Sequence, residues 1–147
     1  MNIHVKKAAM RDLETVVKLA MELWPHHLAE ELAEEFSAIL VRENAAVFLA
    51  YEGGAAVGFA QCQLRHDYVE GTSSSPVGYL EGIFVLDPYR KKGAAGKLLT
   101  ACEGWAREQG CTEFASDCEL DNTQSLKFHL ALGFAEANRI ICFTKKL

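Results

Sequence analysis

The sequence predicts a mixed α/β fold built as one domain over residues 1–147. Segments with strand-like alternation and segments with helical spacing follow one another along the whole chain, and 147 residues is an ordinary length for one domain. Half of the residues are hydrophobic and 24% are charged, which is the composition of a globular protein. No apolar run approaches the roughly 20 residues of a membrane helix. No signal peptide is visible either.

The first third of the chain predicts one strand and two helices. Ile3 and Val5 alternate with polar neighbours, as in a short strand. Asp12 is placed to cap the first helix, because its carboxylate can accept from the free amides of the first turn. Pro25 ends that helix, since the residue before a proline avoids helical geometry. The apolar positions of the second helix are Leu28, Leu32, Phe36 and Ile39.

The middle of the chain predicts a hairpin, a further strand and a long helix. Segments 46–51 and 57–64 are strand-like and flank the turn signal Gly53-Gly54. Segment 77–86 is the most strand-like run of all. An amphipathic helix over 97–109 follows, and Gly110 supplies its left-handed stop.

Three shorter elements complete the prediction. We expect a strand over 112–117 and a helix that Asn122 opens and Gly133 closes. A final strand is expected over 140–144.

Charge and cysteine content exclude several classes of protein. With 15 basic and 20 acidic residues the formal net charge is −5, whereas a dedicated nucleic-acid binder usually carries a basic surplus. We therefore expect neither nucleic acid nor a membrane as partner, and a small cationic partner fits better. The five cysteines form no Cys-x-x-Cys pair, so we expect no metal site but free buried thiols in a reducing cytoplasm.

The stretch 85–97 has the pattern of an anion-binding turn. A strand ends there, and small residues from Gly93 to Gly96 leave backbone N–H groups accessible where the next helix begins. The helix dipole adds roughly half a positive charge at that point. Four basic side chains lie nearby in the sequence: Arg90, Lys91, Lys92 and Lys97. The pattern therefore predicts a pyrophosphate site, with an ordinary solvated helix start as the alternative.

Downstream residues connect this turn with a known family. The residues concerned are Arg90-x-x-Gly93-x-Ala95, Asn122 and Leu132-Gly133-Phe134. In this order and context they resemble the GCN5-related N-acetyltransferases (GNAT), and the resemblance covers the whole chain. It implies a central mixed, mostly antiparallel twisted sheet flanked by helices, and acetyl-CoA as the cosubstrate.

Further peptides are similar to a narrower group, the small single-domain aminoglycoside 6′-N-acetyltransferases. They are Leu23-Trp24-Pro25, Arg65-His66-Asp67-Tyr68-Val69, Ser74-Ser75-Pro76-Val77, Leu80-Glu81-Gly82-Ile83-Phe84-Val85 and Ala115-Ser116-Asp117. This resemblance implies direct acetyl transfer from acetyl-CoA to the 6′-amine of an aminoglycoside. It also implies a cytoplasmic homodimer, paired through an apolar C-terminal edge that contains Ile140, Ile141, Cys142 and Phe143.

The resemblance assigns binding roles residue by residue. The residues implied in binding acetyl-CoA are Ile83, Phe84, Val85, Arg90, Lys91, Lys92, Gly93, Ala94, Ala95, Gly96 and Asn122. The first three would bond the pantetheine arm through their backbone, and the turn would hold the pyrophosphate. Asn122 has helix capping as its alternative role, and the two are compatible.

The acceptor would lie against aromatic and acidic side chains. The residues implied are Trp24, His27, Tyr68, Glu81, Asp117 and Glu136. An aminoglycoside is a polycation, so carboxylates and aromatic rings suit it. Without the resemblance, Trp24 and His27 would be interpreted as structural.

The chemistry implied needs a base and an acid. Glu81 is expected to accept the ammonium proton, through water, as general base. Backbone amides near Phe84 and Val85 would hold the oxyanion. Many family members have a tyrosine four residues before the Gly-Phe ending, and here that position is His129, which is a candidate general acid or a packed helix residue. Another amine acceptor (a polyamine, a peptide N-terminus or a metabolite), or a non-catalytic CoA-binding module, stays open as an alternative.

Overall fold

A five-stranded sheet in the order β1-β2-β3-β4-β5 organises the computed structural model, which describes residues 2–147. The strands are β1 Ile3–Lys7, β2 Ala45–Glu52, β3 Ala55–Arg65, β4 Val77–Val85 and β5 Phe114–Ala115. The helices are α1 Leu13–Leu23, α2 Ala29–Leu40, α3 Ala94–Glu108 and α4 Thr123–Ala131. Strands β1 to β4 pair antiparallel, whereas β5 runs parallel to β4. The mixed, mostly antiparallel sheet flanked by helices is therefore confirmed.

Strand β2 is buried on both faces, so it separates two apolar cores. Val47 and Leu49 belong to a cluster with α1 and α2, while Ala46 and Ala50 belong to a cluster with α3. This alternation follows from the twofold period of side chains along a strand. The two clusters place α3 on one face of the sheet and the α1–α2 pair on the other.

Several predicted turns are confirmed by the backbone. Gly53 and Gly54, with φ of 57° and 86°, join β2 to β3. Both angles lie in the left-handed region, which suits a tight hairpin turn. Gly110 and Gly133 are also left-handed and follow the ends of α3 and α4.

Four expectations about local structure are wrong or need new bounds. Helix α3 begins at Ala94 and not at 97, and the strand expected over 112–117 is only Phe114–Ala115. No strand forms over 140–144. Asp12 does not cap α1, because its carboxylate accepts from the amide of Ala9 at 2.8 Å.

The cysteines are only partly as expected. All five are free thiols, and Cys62, Cys102 and Cys111 are buried. Cys118 and Cys142 are exposed, because they lie in the segments around α4 that form no regular strand. Within residues 2–147, no helix combines the length and the apolar character that crossing a membrane would require.

Candidate active site

Strand β4 has one open edge, and this edge is the centre of the candidate site. Strand β5 pairs with it only at Gly78 and Tyr79. Over 80–85, β4 has β3 on one side and no strand among the described residues on the other. An unpaired strand edge offers backbone donors and acceptors to an extended ligand. Ile83, Phe84 and Val85, expected to bind pantetheine, lie on this stretch.

The turn that follows β4 presents backbone amides. Gly93 precedes α3 with φ of 87°, and Lys91 also has a positive φ of 62°. The first amides of a helix lack intrahelical partners. A Cβ placed on Gly93 would meet no atom within 4 Å, so the approach to these amides is open. The turn therefore has the form of an anion site, as the small residues predict.

The four basic side chains near this turn differ in their hydrogen-bond partners and in their exposure. Lys97 extends to β1, where its Nζ donates to the carbonyl of Ile3 at 2.7 Å. Arg90 forms an ion pair with Asp87 at 2.5 Å and donates from Nε to the carbonyl of Val85 at 2.8 Å. Lys91 and Lys92 are exposed. The expected group of four charges beside the turn is thus reduced, since Lys97 is directed elsewhere.

Glu81 owes its position to a β-bulge. Cys62 of β3 pairs with Leu80, whereas Gln61 pairs with Gly82, so Glu81 is an extra residue on β4. A bulge re-aims side chains locally. A Cβ on Gly78 would contact Ala106 of α3, while one on Gly82 would lie 2.8 Å from the ring of Trp24 at the end of α1. Side chains of β4 alternate between the two faces of the sheet, and at Glu81 this alternation shifts by one residue.

Arg65, at the end of β3, binds the carboxylate of Glu81. Its Nε donates to Oε2 at 3.1 Å, and its Nη2 contacts both oxygens at 3.0 Å. Its guanidinium also lies over the ring of Tyr79, 3.5 Å from the centroid. Burial opposes the charge on Arg65, but the hydrogen bonds and charge of Glu81 outweigh it and raise the pKa of the guanidinium.

Tyr79 connects this pair to Asp117. The Tyr79 hydroxyl donates a short hydrogen bond to Oδ2 of Asp117, just beyond β5. Burial, followed by the hydrogen bond to Asp117, raises the pKa of Tyr79 well above its usual value. Two carboxylates predicted for the acceptor, Glu81 and Asp117, are thereby brought into one network.

The two aromatic residues predicted to contact the acceptor differ in burial. Trp24 is half-buried, with its ring centroid 6.4 Å from Phe36 and 6.1 Å from Phe59. It has a structural role and still lies next to Gly82, the neighbour of Glu81. Tyr68 is 76% exposed and lines an open groove of about 420 Å³ along 63–68, together with Arg65.

His129 is held in a defined orientation. Its Nδ1 lies 2.7 Å from the carbonyl oxygen of Ser125, which can only accept, so Nδ1 carries the proton. In the neutral ring Nε2 then accepts from the hydroxyl of Ser116 at 2.7 Å. Because Ser116 precedes Asp117, His129 is linked to the same end of β5. The rings of Phe128 and Phe134 pack edge-on against it.

Three predicted residues make no side-chain hydrogen bond or ion pair with this network within residues 2–147. The side chain of Asn122 caps α4 by accepting from the amide of Ser125 at 3.0 Å, which confirms its capping role. Glu136 pairs with Arg139 at 2.8 Å. His27 is exposed beyond α1. The structure thus brings together Trp24, Glu81, Asp117 and His129. His27 joins this group only through its backbone amide, which donates to the carbonyl of Trp24 at 3.1 Å, and Glu136 pairs elsewhere.

Arg65 and Tyr79 were not assigned a role from the sequence. Tyr79 and Glu81 are two positions apart on a predicted strand, which signals a shared face. Arg65 gave no such signal, because its pairing with Glu81 depends on the register of β3 against β4.

Comparison with known proteins identifies the family. Residues 13–134 match the Acetyltransferase (GNAT) family. The chain belongs to this family. Among its GNAT relatives, an aminoglycoside N(6′)-acetyltransferase type 1 from Salmonella typhimurium is 44% identical over 128 residues, 87% of this chain and 88% of the relative. One of the same name from Acinetobacter haemolyticus is 39% identical and covers 99% of both chains.

Solved GNAT structures agree with the fold. AAC(6′)-Iy, in complex with the bisubstrate analog CoA-S-monomethyl-acetylneamine, superposes with a TM-score of 0.96 at 40% identity over 100% of both chains. The 6′-N-acetyltransferase AAC(6′)-Ih from Acinetobacter baumannii gives 0.94 at 37% identity over 99% of both chains. The chain is an acetyltransferase of the GNAT family with this architecture.

Proposed function

We propose that this acetyltransferase is an aminoglycoside 6′-N-acetyltransferase, which transfers acetyl from acetyl-CoA directly to the 6′-amine of the antibiotic in one domain over residues 1–147. One observation carries the proposal. The open edge of β4 starts at the carboxylate network of Glu81 and Asp117 and leads into the amide-rich turn before α3. A cationic acceptor and an anionic acetyl donor would thus lie at opposite ends of one strand edge. The names of the relatives support the same reaction.

Acetyl-CoA fits the residues present along this edge. The backbone of Ile83, Phe84 and Val85 is the proposed partner of the pantetheine arm. The amides from Lys92 to Gly96 would take the pyrophosphate, assisted by the nearby charges of Arg90 and Lys91 and by Asn122 at the start of α4. The bound donor supplies a thioester carbonyl that an amine can attack.

The acceptor site combines charge with flat apolar surface. Glu81 and Asp117 supply carboxylates, while Trp24 and Tyr68 supply aromatic surface for the sugar rings. His27 and Glu136 complete the proposed contacts at its outer side. Glu136 forms an ion pair with Arg139, so a cationic acceptor would compete with that side chain.

Proton transfer is assigned to two side chains. Glu81 takes the ammonium proton through water as general base, and the amides near Phe84 and Val85 stabilise the oxyanion. His129 is the proposed acid for the leaving thiolate. This role requires the imidazolium form, in which Nε2–H would donate to Ser116 Oγ while the Ser116 hydroxyl passes its own proton to the thiolate.

Thiol release from acetyl-CoA by the purified protein tests the function. We expect turnover with kanamycin and little with paromomycin, which has a hydroxyl in place of the 6′-amine. Turnover only with spermidine or a peptide would keep the acetyltransferase but replace the acceptor. Acetyl-CoA binding without turnover on any amine would instead indicate a regulatory module.

We propose in addition a cytoplasmic homodimer. Residues 140–143 near the C-terminus form no regular strand and are all apolar, with Ile141 and Phe143 exposed by 80% and 89%. Apolar, unpaired segments of this kind tend to pair with another chain. A second copy of this chain is the occupant that the family resemblance implies. Five free thiols fit a reducing compartment.

A further inference from the structure

The carboxylate of Glu81 is held at both oxygens by one arginine. Arg65 donates once to Oε1 and twice to Oε2, at 3.0 to 3.1 Å. A carboxylate has about four acceptor positions. Nη2 lies 3.0 Å from both oxygens, so one of its N–H groups is shared between them, whereas Nε–H donates to Oε2 alone; Oε1 therefore keeps the larger free acceptor capacity. A water or an amine that approaches Glu81 is thereby directed to one oxygen.

Arg65 is itself fixed in position. Its guanidinium stacks on the ring of Tyr79, which is only 5% exposed and is tethered through its hydroxyl to Asp117. A planar guanidinium that is both stacked and bidentate has little rotational freedom, whereas a lysine ammonium would be a mobile point charge. The orientation of Glu81 thus derives from the buried ring of Tyr79.

The setting of the pair differs from that of an ordinary surface ion pair. The side chain of Glu81 is 19% exposed and that of Arg65 39%. Exposed pairs contribute about 0 to 1 kcal/mol to stability, so stability alone is a weak reason for this geometry. Glu81 is also the extra residue of the β4 bulge, where a side chain is locally re-aimed. The β-bulge and the fork of Arg65 nitrogens (Nε and Nη2) together orient the carboxylate of Glu81 in one direction.

We propose that Arg65 is a positioning residue for acetyl transfer, which aims the free lone pair of Glu81 Oε1 at the water or amine that is deprotonated. Arg65 acts through Glu81 and does not itself take part in proton transfer. This inference rests on the proposed function, because it requires Glu81 to be the general base.

The test is a double-mutant cycle with Arg65→Lys and Glu81→Gln, measured with kanamycin and acetyl-CoA. Arg65→Lys retains the charge but loses the bidentate fork. We expect kcat to fall about tenfold or more, with KM for both substrates within about threefold. In the Glu81→Gln background, the same change should cost less than about twofold. Arg107→Lys, at an exposed arginine near the end of α3, is the matched control and should retain wild-type kinetics.

A second measurement reports on the fork without turnover. The Nε–H of Arg65 should give a slowly exchanging, downfield NMR resonance that disappears in Glu81→Gln. Wild-type kcat in Arg65→Lys, equal losses in both backgrounds, or an Nε–H signal that is unaffected by Glu81→Gln would each overturn the proposal. Lack of turnover by the wild-type protein would overturn the proposed function, and the role of Arg65 with it. Full activity of Glu81→Gln would remove the base, and again the role of Arg65.

Discussion

At the residue scale, Gly82 shows how tightly β4 is packed against Trp24 beside Glu81. A Cβ at this position would lie 2.8 Å from two ring carbons of Trp24. Those carbons belong to a half-buried ring that packs on Phe36 and Phe59, so the ring cannot simply rotate away. The absence of a side chain at Gly82 is therefore what allows Trp24 to lie against β4 beside Glu81.

Gly82→Ala should displace Trp24. We expect a loss of about 1 to 3 kcal/mol in the free energy of unfolding, typical of overpacking, together with a higher KM for the aminoglycoside. Denaturant unfolding and steady-state kinetics measure the two effects. Gly104→Ala is the matched control. Its Cβ would meet nothing within 4 Å, and alanine within α3 should stabilise by about 0.5 to 1 kcal/mol. Equal stability of the two variants would contradict the packing argument.

At the scale of single elements, the short β5 and the bulge in β4 create the site. Strand β5 ends after Ala115, so the β4 backbone beyond Tyr79 stays open. The bulge at Glu81 re-aims the carboxylate, and the left-handed Gly93 starts α3 with accessible amides. Helix α4 completes the arrangement, because His129 on it contacts Ser116 next to β5.

The start of α4 offers a test that separates capping from donor binding. Asn122→Ala removes the bond to the amide of Ser125 and should cost about 1 kcal/mol in the free energy of unfolding. Asn122→Asp keeps an acceptor for that amide and should retain stability. If Asn122 also contacts acetyl-CoA, Asn122→Asp will raise KM for acetyl-CoA at unchanged stability. A normal KM in that stable variant would leave capping as the role of this residue.

At the scale of the whole molecule, the C-terminal segment exposes apolar side chains that the rest of the chain does not bury. Ala137 approaches Gly71, and Asn138 donates to Glu70 at 2.6 Å, so the segment is anchored where it begins. Beyond these contacts Ile140, Ile141 and Phe143 are exposed, at 65%, 80% and 89%. An apolar surface of this kind favours association, in agreement with the proposed homodimer.

Ile141→Lys should weaken that association. The side chain is exposed in the single chain, so the substitution should not disturb its fold, and a charge in an apolar interface is unfavourable. Light scattering after size-exclusion chromatography should show a dimer for the wild type and a monomer for the variant. Val41→Lys, at another exposed apolar position after α2, is the control and should remain dimeric. A monomeric wild type at all concentrations would refute the homodimer.

Features that depend only on neighbouring residues could be predicted from the amino-acid sequence. The glycine turns, the helices α1 to α3, the anion-binding turn and the peptides that resemble the family are all local, and their chemistry can be identified without a structure. Asn122 belongs to the same class, because a cap needs only the next three residues. The residues proposed for the site were selected in this way, through short peptides that resemble the family.

Contacts between residues that are distant in the sequence could not be predicted and depend on the fold. Arg65 and Glu81 meet because of the register and bulge of β3 against β4, and Lys97 leaves the turn because β1 lies within its reach. The expected strand over 140–144 has the correct composition but finds no partner strand among residues 2–147. A strand needs a neighbour to satisfy its backbone, whereas a helix satisfies its own. For that reason local pattern predicts helices and turns, while pairing and contacts across the sheet require the fold.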